Sequence, residues 1–199
     1  MKSLIFDALG AILSGTDFIL KKSDDAFVRK FPGGRQELSV PILDYHPEYE
    51  FSLVVCIRLD AVEEVFHRFS GAPPKYQGMS VTTITQLQYF TGNARRFKVI
   101  SEPDVASAVR SLAPIVRGEI IPFFDRYTDL RSLNIAVNCK HPGIDSTQYP
   151  SRAMHSVILA RLAEDADFHG IVTRHRNEMQ LPPTADHRFN QLVKCLEDM

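Results

Sequence analysis

The sequence predicts an α+β protein: a mostly antiparallel sheet of about five to six strands, a long kinked helix packed on it, and a C-terminal helical extension. Short β-rich runs separated by turn signals occupy the first half of the chain. A helical stripe follows from Ser101 to Leu133, and helical periodicity resumes after the Pro- and Gly-containing segment at 138–150. We therefore predict an α+β domain over residues 1–140 and a helical extension over residues 141–199 that packs on it.

Composition indicates an ordinary globular protein. The chain has 199 residues, 44% hydrophobic and 24% charged, which suffices for a core without disulfides or metals. A net charge of -1 provides no overall field for nucleic acid or an anionic membrane, so neither is an expected partner. Three widely spaced cysteines predict reduced thiols and a cytoplasmic location. No cofactor is predicted.

The N-terminal third alternates between helical and strand patterns. An apolar face over residues 4–13 predicts a helix, and because Asp7 interrupts its apolar run we do not expect a signal peptide. The turn cluster at 23–25 predicts a hairpin of two short strands. Alternation over residues 38–42 predicts a further strand, which Pro41 would confine to a sheet edge or turn outward.

The next segment predicts the centre of the sheet. The near-continuous apolar run at 49–59 is typical of a strand covered on both faces. Asp60 and Glu63 have the spacing of a capping box, which predicts the start of a helix. A β-branched run predicts another strand over residues 79–90, and a short strand follows around residues 97–99.

The long helix has a well-specified start. Ser101 is a good N-cap, Pro103 lies in the first turn, and Asp104 stands at the capping-box position. Pro114 and Pro122 each remove a backbone donor, so we expect a bent helix or two segments.

The C-terminal part is predicted to be helical. Thr128 or Asp129 should cap a short helix, and an apolar face over residues 154–179 predicts a long one with Gly170 as its weak point. A final helix should open at Thr184.

The turn between two predicted strands combines acidic and aromatic side chains. Rigid amphipathic rings lose little entropy when a partner buries them, so such a turn is a candidate protein-binding surface, although strand-to-strand turns are commonly polar anyway. The candidate contact residues are Asp44, Tyr45, Glu48, Tyr49 and Glu50, with Tyr76 in the neighbouring proline loop as an extension.

A second candidate site combines a thiol, an imidazole and a carboxylate. Cys139, His141 and Asp145 could form a Cys–His pair with an orienting acid, or ligate zinc. They lie at a helix end and in a Pro-Gly loop without a second ligand pair nearby, so an incidental cysteine is the favoured interpretation and no metal is predicted.

Arg174, His175 and Arg176, together with His169, could bind phosphate. On one helix, however, Arg174 and Arg176 point in quite different directions, and His175 shares the apolar face. Surface arginines and a satisfied histidine are the favoured interpretation.

Two motifs resemble a bacterial family of domains of unknown function. TDFILKKSDDAFVRKF at 16–31 is similar to the family's hairpin, although Asp17 stands where a glycine is expected. IPFFDRYTDLRSLN at 121–134 is similar to its PFxDRYxxLxxL-type helix end. The resemblance covers residues 4–135 and implies an α+β fold in a bacterial cytosol, similar to immunity proteins that neutralise toxins. It carries over no functional residue.

No P-loop, GxGxxG, HExxH or GxSxG pattern appears in the sequence. The sequence therefore favours a cytoplasmic protein-binding module, with an immunity protein against a bacterial toxin as the specific hypothesis. The alternative is a small enzyme with a site between sheet and helix. An oligomer-forming role of the C-terminal helices is a third option.

Overall fold

The computed structural model describes residues 1–93, 96–139, 144, 147–178 and 183–199. It confirms the predicted fold class. The protein is α+β, with an antiparallel sheet of five strands, a second sheet of three strands and C-terminal helices.

Helices occupy the N-terminus, several connections between strands and most of the described C-terminal residues. Their bounds are α1 (Lys2–Ile12), α2 (Asp60–Ser70), α3 (Pro74–Gln77), α4 (Leu87–Thr91), α5 (Glu102–Ile115), α6 (Ile121–Arg126), α7 (Leu130–Asn138), α8 (Ser151–Leu162), α9 (Phe168–Glu178) and α10 (Pro183–Glu197). None of these helices, over the described residues, is long and apolar enough to cross a membrane.

The strands form two sheets. Their bounds are β1 (Ile19–Lys21), β2 (Ala26–Phe31), β3 (Gly34–Ser39), β4 (Ile42–Tyr45), β5 (Glu48–Phe51), β6 (Val54–Leu59), β7 (Thr83–Gln86) and β8 (Phe97–Val99). The larger sheet has the order β1-β2-β3-β6-β7, and the smaller has the order β4-β5-β8.

The chain forms two compact units. Unit 1 contains residues 1–56 and 85–126, and unit 2 contains residues 57–84 and 127–199. The unit boundaries thus fall within β6, within β7 and after α6. Each unit combines two separate segments of the chain, so this division does not test a single domain boundary. The boundary at residue 140 therefore stays a prediction.

In unit 1 the helix ends follow their local signals. The Asp104 carboxylate accepts hydrogen bonds from the backbone nitrogens of Ser101 at 2.9 Å and Ile100 at 3.1 Å, as the capping pattern predicts. The predicted division of the long helix is also confirmed, since a π-helical turn at Val116–Ile120 follows Pro114 and joins α5 to α6. Pro122, just beyond this turn, has no backbone donor for the carbonyl of Gly118, which weakens the α-helical hydrogen bonding here.

The predicted strand through Pro41 is wrong, as is the single long strand at 49–59. Pro41 separates β3 from β4, and Ser52 with Leu53 separates β5 from β6. At these corners the backbone nitrogen of Ser52 donates to the carbonyl of Pro41 at 3.3 Å. The β4–β5 hairpin therefore leaves the larger sheet between two neighbouring strands, because Pro41 lacks the donor that would continue the ladder.

The predicted strand at 79–90 is much shorter in the structure. Only Thr83–Gln86 form β7, and the chain then turns into α4, where Leu87 is buried. The helix ends at Gly92, whose φ of 72° is the left-handed conformation that glycine adopts without strain. The β-branched residues set the strand, but burial of Leu87 decides where it stops.

The C-terminal helices differ from the predicted long helix at 154–179. The chain breaks between α8 and α9, where Glu164 has a φ of 56°. The Asp165 carboxylate accepts from the backbone nitrogen of Asp167 at 2.9 Å, close to the start of α9. The break therefore precedes Gly170. The predicted cap at Asp129 is confirmed, since its side chain accepts from the backbone nitrogen of Ser132 at 2.9 Å.

The predicted capping box of α2 is wrong. The N-cap position is Leu59, and no side chain caps this helix. Asp60 instead accepts from Nε of Arg58 at 2.7 Å, and Glu63 is fully buried. The Glu63 carboxylate does not accept from the helix terminus, because it accepts hydrogen bonds from the buried hydroxyls of Ser80 and Thr82 instead.

Packing in unit 1 predicts a large difference between two isoleucines. Ile5 of α1 is fully buried, whereas Ile100 is 58% exposed. We expect Ile5→Ala to lower the free energy of unfolding by about 2–5 kcal/mol, because it leaves a cavity, and Ile100→Ala to change it by less than about 0.5 kcal/mol. Urea denaturation of both variants measures this, and equal effects would contradict the described packing.

Candidate functional site

The predicted contact residues of the hairpin all lie on β4 and β5 in unit 1. Asp44 and Tyr45 end β4, and Glu48, Tyr49 and Glu50 belong to β5. The register pairs Tyr45 with Glu48 and Asp44 with Tyr49. Together these residues form the end of one two-stranded ribbon.

Alternation of side chains divides these residues between two faces. Tyr49 shares a face with Phe51 of the same strand and is paired with Val99 of β8, and both of these residues are buried. Tyr45, Glu48 and Glu50 point to the opposite side. We call that side the outer face; its residues are Leu43, Tyr45, Glu48, Glu50 and Lys98.

The outer face carries one exposed ring beside an ion-pair cluster. Tyr45 is 58% exposed. Nζ of Lys98 lies 3.0 Å from a carboxylate oxygen of Glu48 and 3.1 Å from one of Glu50. Hydrogen bonds from Lys98 to Glu48 and Glu50 raise the pKa of Lys98. Two carboxylates against one ammonium leave this face with an excess of negative charge.

Asp44 has a local structural role. Its Oδ1 accepts a hydrogen bond from the backbone nitrogen of His46 at 3.0 Å, the pattern by which an Asp side chain stabilises a tight turn. The carboxylate is nevertheless exposed at the tip of the hairpin. Asp44 therefore adds negative charge beside the outer face while it orders the turn.

The structure does not place Tyr76 on the hairpin. It belongs to α3 in unit 2, where it is 52% exposed and the ammonium of Lys75 lies 4.7 Å from its ring centroid. The proposed extension of the contact surface to Tyr76 stays a prediction.

The alternative catalytic set is described only in part. Cys139 follows the last residue of α7 and is an exposed free thiol, whose backbone nitrogen donates to the carbonyl of Ile135 at 3.0 Å. His141 and Asp145 lie outside the described residues. Among the residues that the structure does describe, no group of three or more His, Cys, Asp or Glu side chains is arranged to hold a metal ion.

Unit 2 contains a buried carboxylate that sequence patterns assigned to a helix cap. Glu63 has no exposed surface, and its oxygens accept from the hydroxyls of Ser80 and Thr82, the latter at 2.9 Å. Nε2 of His155 lies 3.1 Å from Oε1, and Nε2 of His67 lies 3.6 Å from Oε2. We call these five residues the Glu63 cluster.

The Glu63 cluster holds its carboxyl group ionised. Burial alone would raise the pKa of Glu63, but His155 and the hydroxyls of Ser80 and Thr82 lower it to about 2. Arg58 completes the surroundings: its Nη1 donates to the carbonyls of Gln77 at 3.0 Å and of Ser80 at 2.9 Å. The cluster therefore fixes α2, the segment before β7 and α8 to one another.

A second polar network joins α7, α8 and α9 within unit 2. The Ser156 hydroxyl donates to Oδ1 of Asn138, and Nδ2 of Asn138 donates to Oδ1 of Asn134 at 2.7 Å. Nε2 of His175 lies 2.7 Å from Oγ of Ser156. Asn138, Ser156 and His175 are each at least 95% buried. This network lines the inner wall of a pocket.

The proton positions follow from counting donors. Ser156 has a single hydroxyl proton, which Asn138 accepts, so Nε2 of His175 carries a hydrogen and donates to Ser156. Nδ1 of His175 then carries no hydrogen and lies 3.2 Å from the Tyr149 oxygen, whose single proton is directed to Oε2 of Glu178 at 2.8 Å, so this contact is not a further hydrogen bond. In this arrangement the histidine does not draw the proton from Ser156, so the pair is not arranged as nucleophile and base.

Burial and the charge of Arg174 lower the pKa of His175 from its usual 6.5 to about 4, while Glu178 opposes this shift. The imidazole is therefore neutral at pH 7. Burial and the Glu178 carboxylate raise the pKa of Tyr149 to about 12, so its hydroxyl keeps the proton. The network contains no charge of its own; the charged groups beside it belong to Asp165, whose carboxylate accepts from Nδ2 of Asn134 at 2.6 Å, and to Arg152, Arg174 and Glu178.

Beside this network lies a cavity of about 220 Å³. We call it the α7–α9 pocket. Its lining residues are Val137, Asn138, Arg152, Ser156, Arg174, His175 and Glu178. Sequence reasoning considered Arg174 and His175 as phosphate ligands but missed Arg152, because no motif connects it to them.

Comparisons with known proteins identify no relative. No family model matches the chain, and no curated protein and no solved structure matches it. The resemblance of residues 16–31 and 121–134 to a bacterial family therefore stays a prediction.

The Glu63 cluster predicts a strong contrast between two adjacent glutamates. Glu63→Ala should lower the free energy of unfolding by about 3–5 kcal/mol, because it removes the acceptor of two buried hydroxyl groups and the buried carboxylate that lies 4.0 Å from the Arg58 guanidinium. Glu64→Ala should change it by at most about 1 kcal/mol, since the Glu64 side chain is 74% exposed. Urea denaturation at neutral pH compares them; a Glu63→Ala effect as small as that of Glu64→Ala would refute the cluster's structural role.

His175 predicts a pH dependence of stability. Its folded pKa of about 4 lies below the usual value of 6.5, so between these values the unfolded state binds more protons. Stability should fall as pH decreases from about 6.5 to about 4, by at most about 3 kcal/mol for this group. Denaturation midpoints measured across this range should show the loss, and His175→Gln should flatten it.

The matched control for this experiment is His169→Gln. His169 lies on the same helix with its side chain 82% exposed, so its replacement should leave the pH profile unchanged. If His169→Gln flattens the profile as much as His175→Gln, the described burial of His175 is wrong.

Proposed function

We propose that this protein is a cytoplasmic protein-binding module whose contact surface is the outer face of the small sheet. The observation that carries the proposal is the exposed Tyr45 ring beside the Glu48–Lys98–Glu50 cluster. Tyrosine is enriched at binding interfaces, since its rigid ring supplies apolar area and its hydroxyl a hydrogen bond.

The charge of this surface indicates the chemistry of its partner. Asp44, Glu48 and Glu50 outnumber Lys98, so the hairpin favours a partner with Lys or Arg side chains at its contact surface. Glu48 and Glu50 are already held in position by Lys98, and this reduces the entropy lost when a basic partner binds. The specific proposal is an immunity protein that neutralises a basic bacterial toxin.

The side of the small sheet opposite the outer face is packed against buried side chains. Phe51 stacks on Phe97 with ring centroids 5.4 Å apart, and Phe51 and Val99 are buried on the inner side of the same strands. A contact surface on a packed sheet keeps its shape, so partner binding would need little rearrangement.

The enzyme alternative stays a prediction, because His141 and Asp145 lie outside the described residues. Cys139 is an exposed free thiol, and this observation does not favour an enzyme over a protein-binding module.

Affinity capture tests the binding module. The purified protein, immobilised, should retain a stoichiometric protein partner from a lysate of its source cells, and retention should weaken as salt is raised. Tyr45→Ala should reduce the affinity of the purified partner by about tenfold or more, because a central aromatic contact typically contributes that much. Isothermal titration measures the change.

The matched control is Ile19→Ala, which removes a side chain that is 74% exposed on β1 of the other sheet. It should leave the affinity unchanged. A partner that binds wild type and Tyr45→Ala equally would contradict the outer face as the contact surface. Co-expression with neighbouring reading frames tests the toxin hypothesis: if none of them slows growth, or if the protein does not relieve such slowing, the immunity role is wrong.

A further inference from the structure

The α7–α9 pocket has a guanidinium group that is fixed in position. Nη1 of Arg174 donates to the carbonyl of Asn138 at 3.2 Å, and Nη2 donates to Oδ1 of the same residue at 3.3 Å. These two bonds use two of the five N–H donors of an arginine. The remaining donors have no hydrogen-bond partner among the described residues, so they are available to a ligand, and Asn138 holds the guanidinium in place.

The second guanidinium of the pocket belongs to Arg152 on α8. Its charged group forms no hydrogen bond or ion pair with another residue in the described part of the chain. The guanidinium carbon lies 5.8 Å from the centroid of the Tyr149 ring, and Tyr149 is itself held by Glu178. Arg152 is exposed, and because its guanidinium has no acidic partner among the described residues, it is available to bind an anion.

The charges of the lining residues favour an anion. Among the described lining residues, Arg152 and Arg174 are cationic, Glu178 alone is acidic, and His175 is neutral. The Glu178 carboxylate accepts a hydrogen bond from the hydroxyl of Tyr149. The described lining therefore carries an excess of one positive charge.

The inner wall of the pocket is rigid. Asn138, Ser156 and His175 bond to one another, and Asn138 is further held by Asn134 and by the carbonyl of Ser156, 3.1 Å from its Nδ2. Their N–H and O–H donors are already used in these hydrogen bonds. The wall therefore fixes the shape of the pocket and donates no hydrogen bond to a ligand. A preorganised wall lowers the entropy cost of binding.

From these observations we propose that the α7–α9 pocket is a binding site for a small oxyanion, a phosphate or carboxylate group, which Arg152 and Arg174 grip from two different helices. A volume of about 220 Å³ suits a small metabolite or inorganic ion. The site lies in unit 2 and is independent of the proposed protein contact on the small sheet.

This proposal revises the sequence-based interpretation of Arg174 and His175. Arg176 is exposed, does not line the pocket, and its Nη2 donates to Oδ1 of Asn190 at 3.2 Å. The divergence of Arg174 and Arg176 on one helix was correctly inferred, but the second arginine comes from α8. His175 supports the wall and does not bind the anion.

The test is titration of the full chain with inorganic phosphate and, separately, with acetate, at constant ionic strength maintained with chloride. Heteronuclear NMR follows the side-chain signals of Asn138 and of the arginines. We expect saturable shifts with at least one of the two anions, and the one that binds more tightly identifies the ligand chemistry. Linear, non-saturating shifts with both anions would overturn the proposal.

Variants locate the binding. Arg152→Gln should weaken the affinity about tenfold or more, because it removes a charge-assisted contact. It should not disturb folding, since the Arg152 guanidinium forms no hydrogen bond or ion pair among the described residues. The matched control Arg176→Gln makes the same charge change on α9 outside the pocket and should bind as wild type does. Equal affinities of the two variants would overturn the proposal.

Discussion

The buried carboxylate of Glu63 is the interaction on which unit 2 depends. A charge without exposed surface is stable only if polar groups surround it, and Glu63 accepts from the hydroxyls of Ser80 and Thr82 and lies 3.1 Å from Nε2 of His155. These partners belong to different segments, so the carboxylate can be satisfied only when the segments come together. A fully apolar cluster at this place would tolerate several packings, whereas the donors around Glu63 specify one.

The Glu63 cluster also bears on the α7–α9 pocket. His155, which contacts Glu63, is the immediate neighbour of Ser156, which lines the pocket. Because both residues belong to α8, fixing the rotation of this helix for one side chain fixes it for the other. The buried carboxylate therefore helps to set the position of the pocket's inner wall, although it takes no part in binding.

The two proposed binding surfaces are built on different physical grounds. The outer face of the small sheet depends on strand register, which pairs Tyr45 with Glu48 and Glu50 with Lys98. A shift by one residue would send these side chains to the buried side. The α7–α9 pocket depends instead on three helices that each contribute polar side chains. The first suits a large basic surface, and the second a small anion.

Local backbone chemistry determined much of the fold from the sequence alone. The start of α5 at Ser101 with Asp104, the cap at Asp129 and the division of the long helix after Pro114 depend on residues a few positions apart, and the structure agrees with each. The α+β class followed from the same local periodicities. The sequence also predicted an acidic turn between two strands at residues 44–50, because turn residues and strand alternation are local signals.

Other local patterns fit more than one structure, and only tertiary packing determined which of these structures forms. Glu63 fits a capping box by spacing, yet burial beside Ser80, Thr82 and His155 outweighs the small gain of a cap. The apolar run at 49–59 divides between two sheets, since Pro41, between β3 and β4, ends the ladder of the larger sheet there. The pairing of Arg174 with Arg152 around one pocket depends on helix packing between residues far apart in sequence, and no spacing in the chain encodes it.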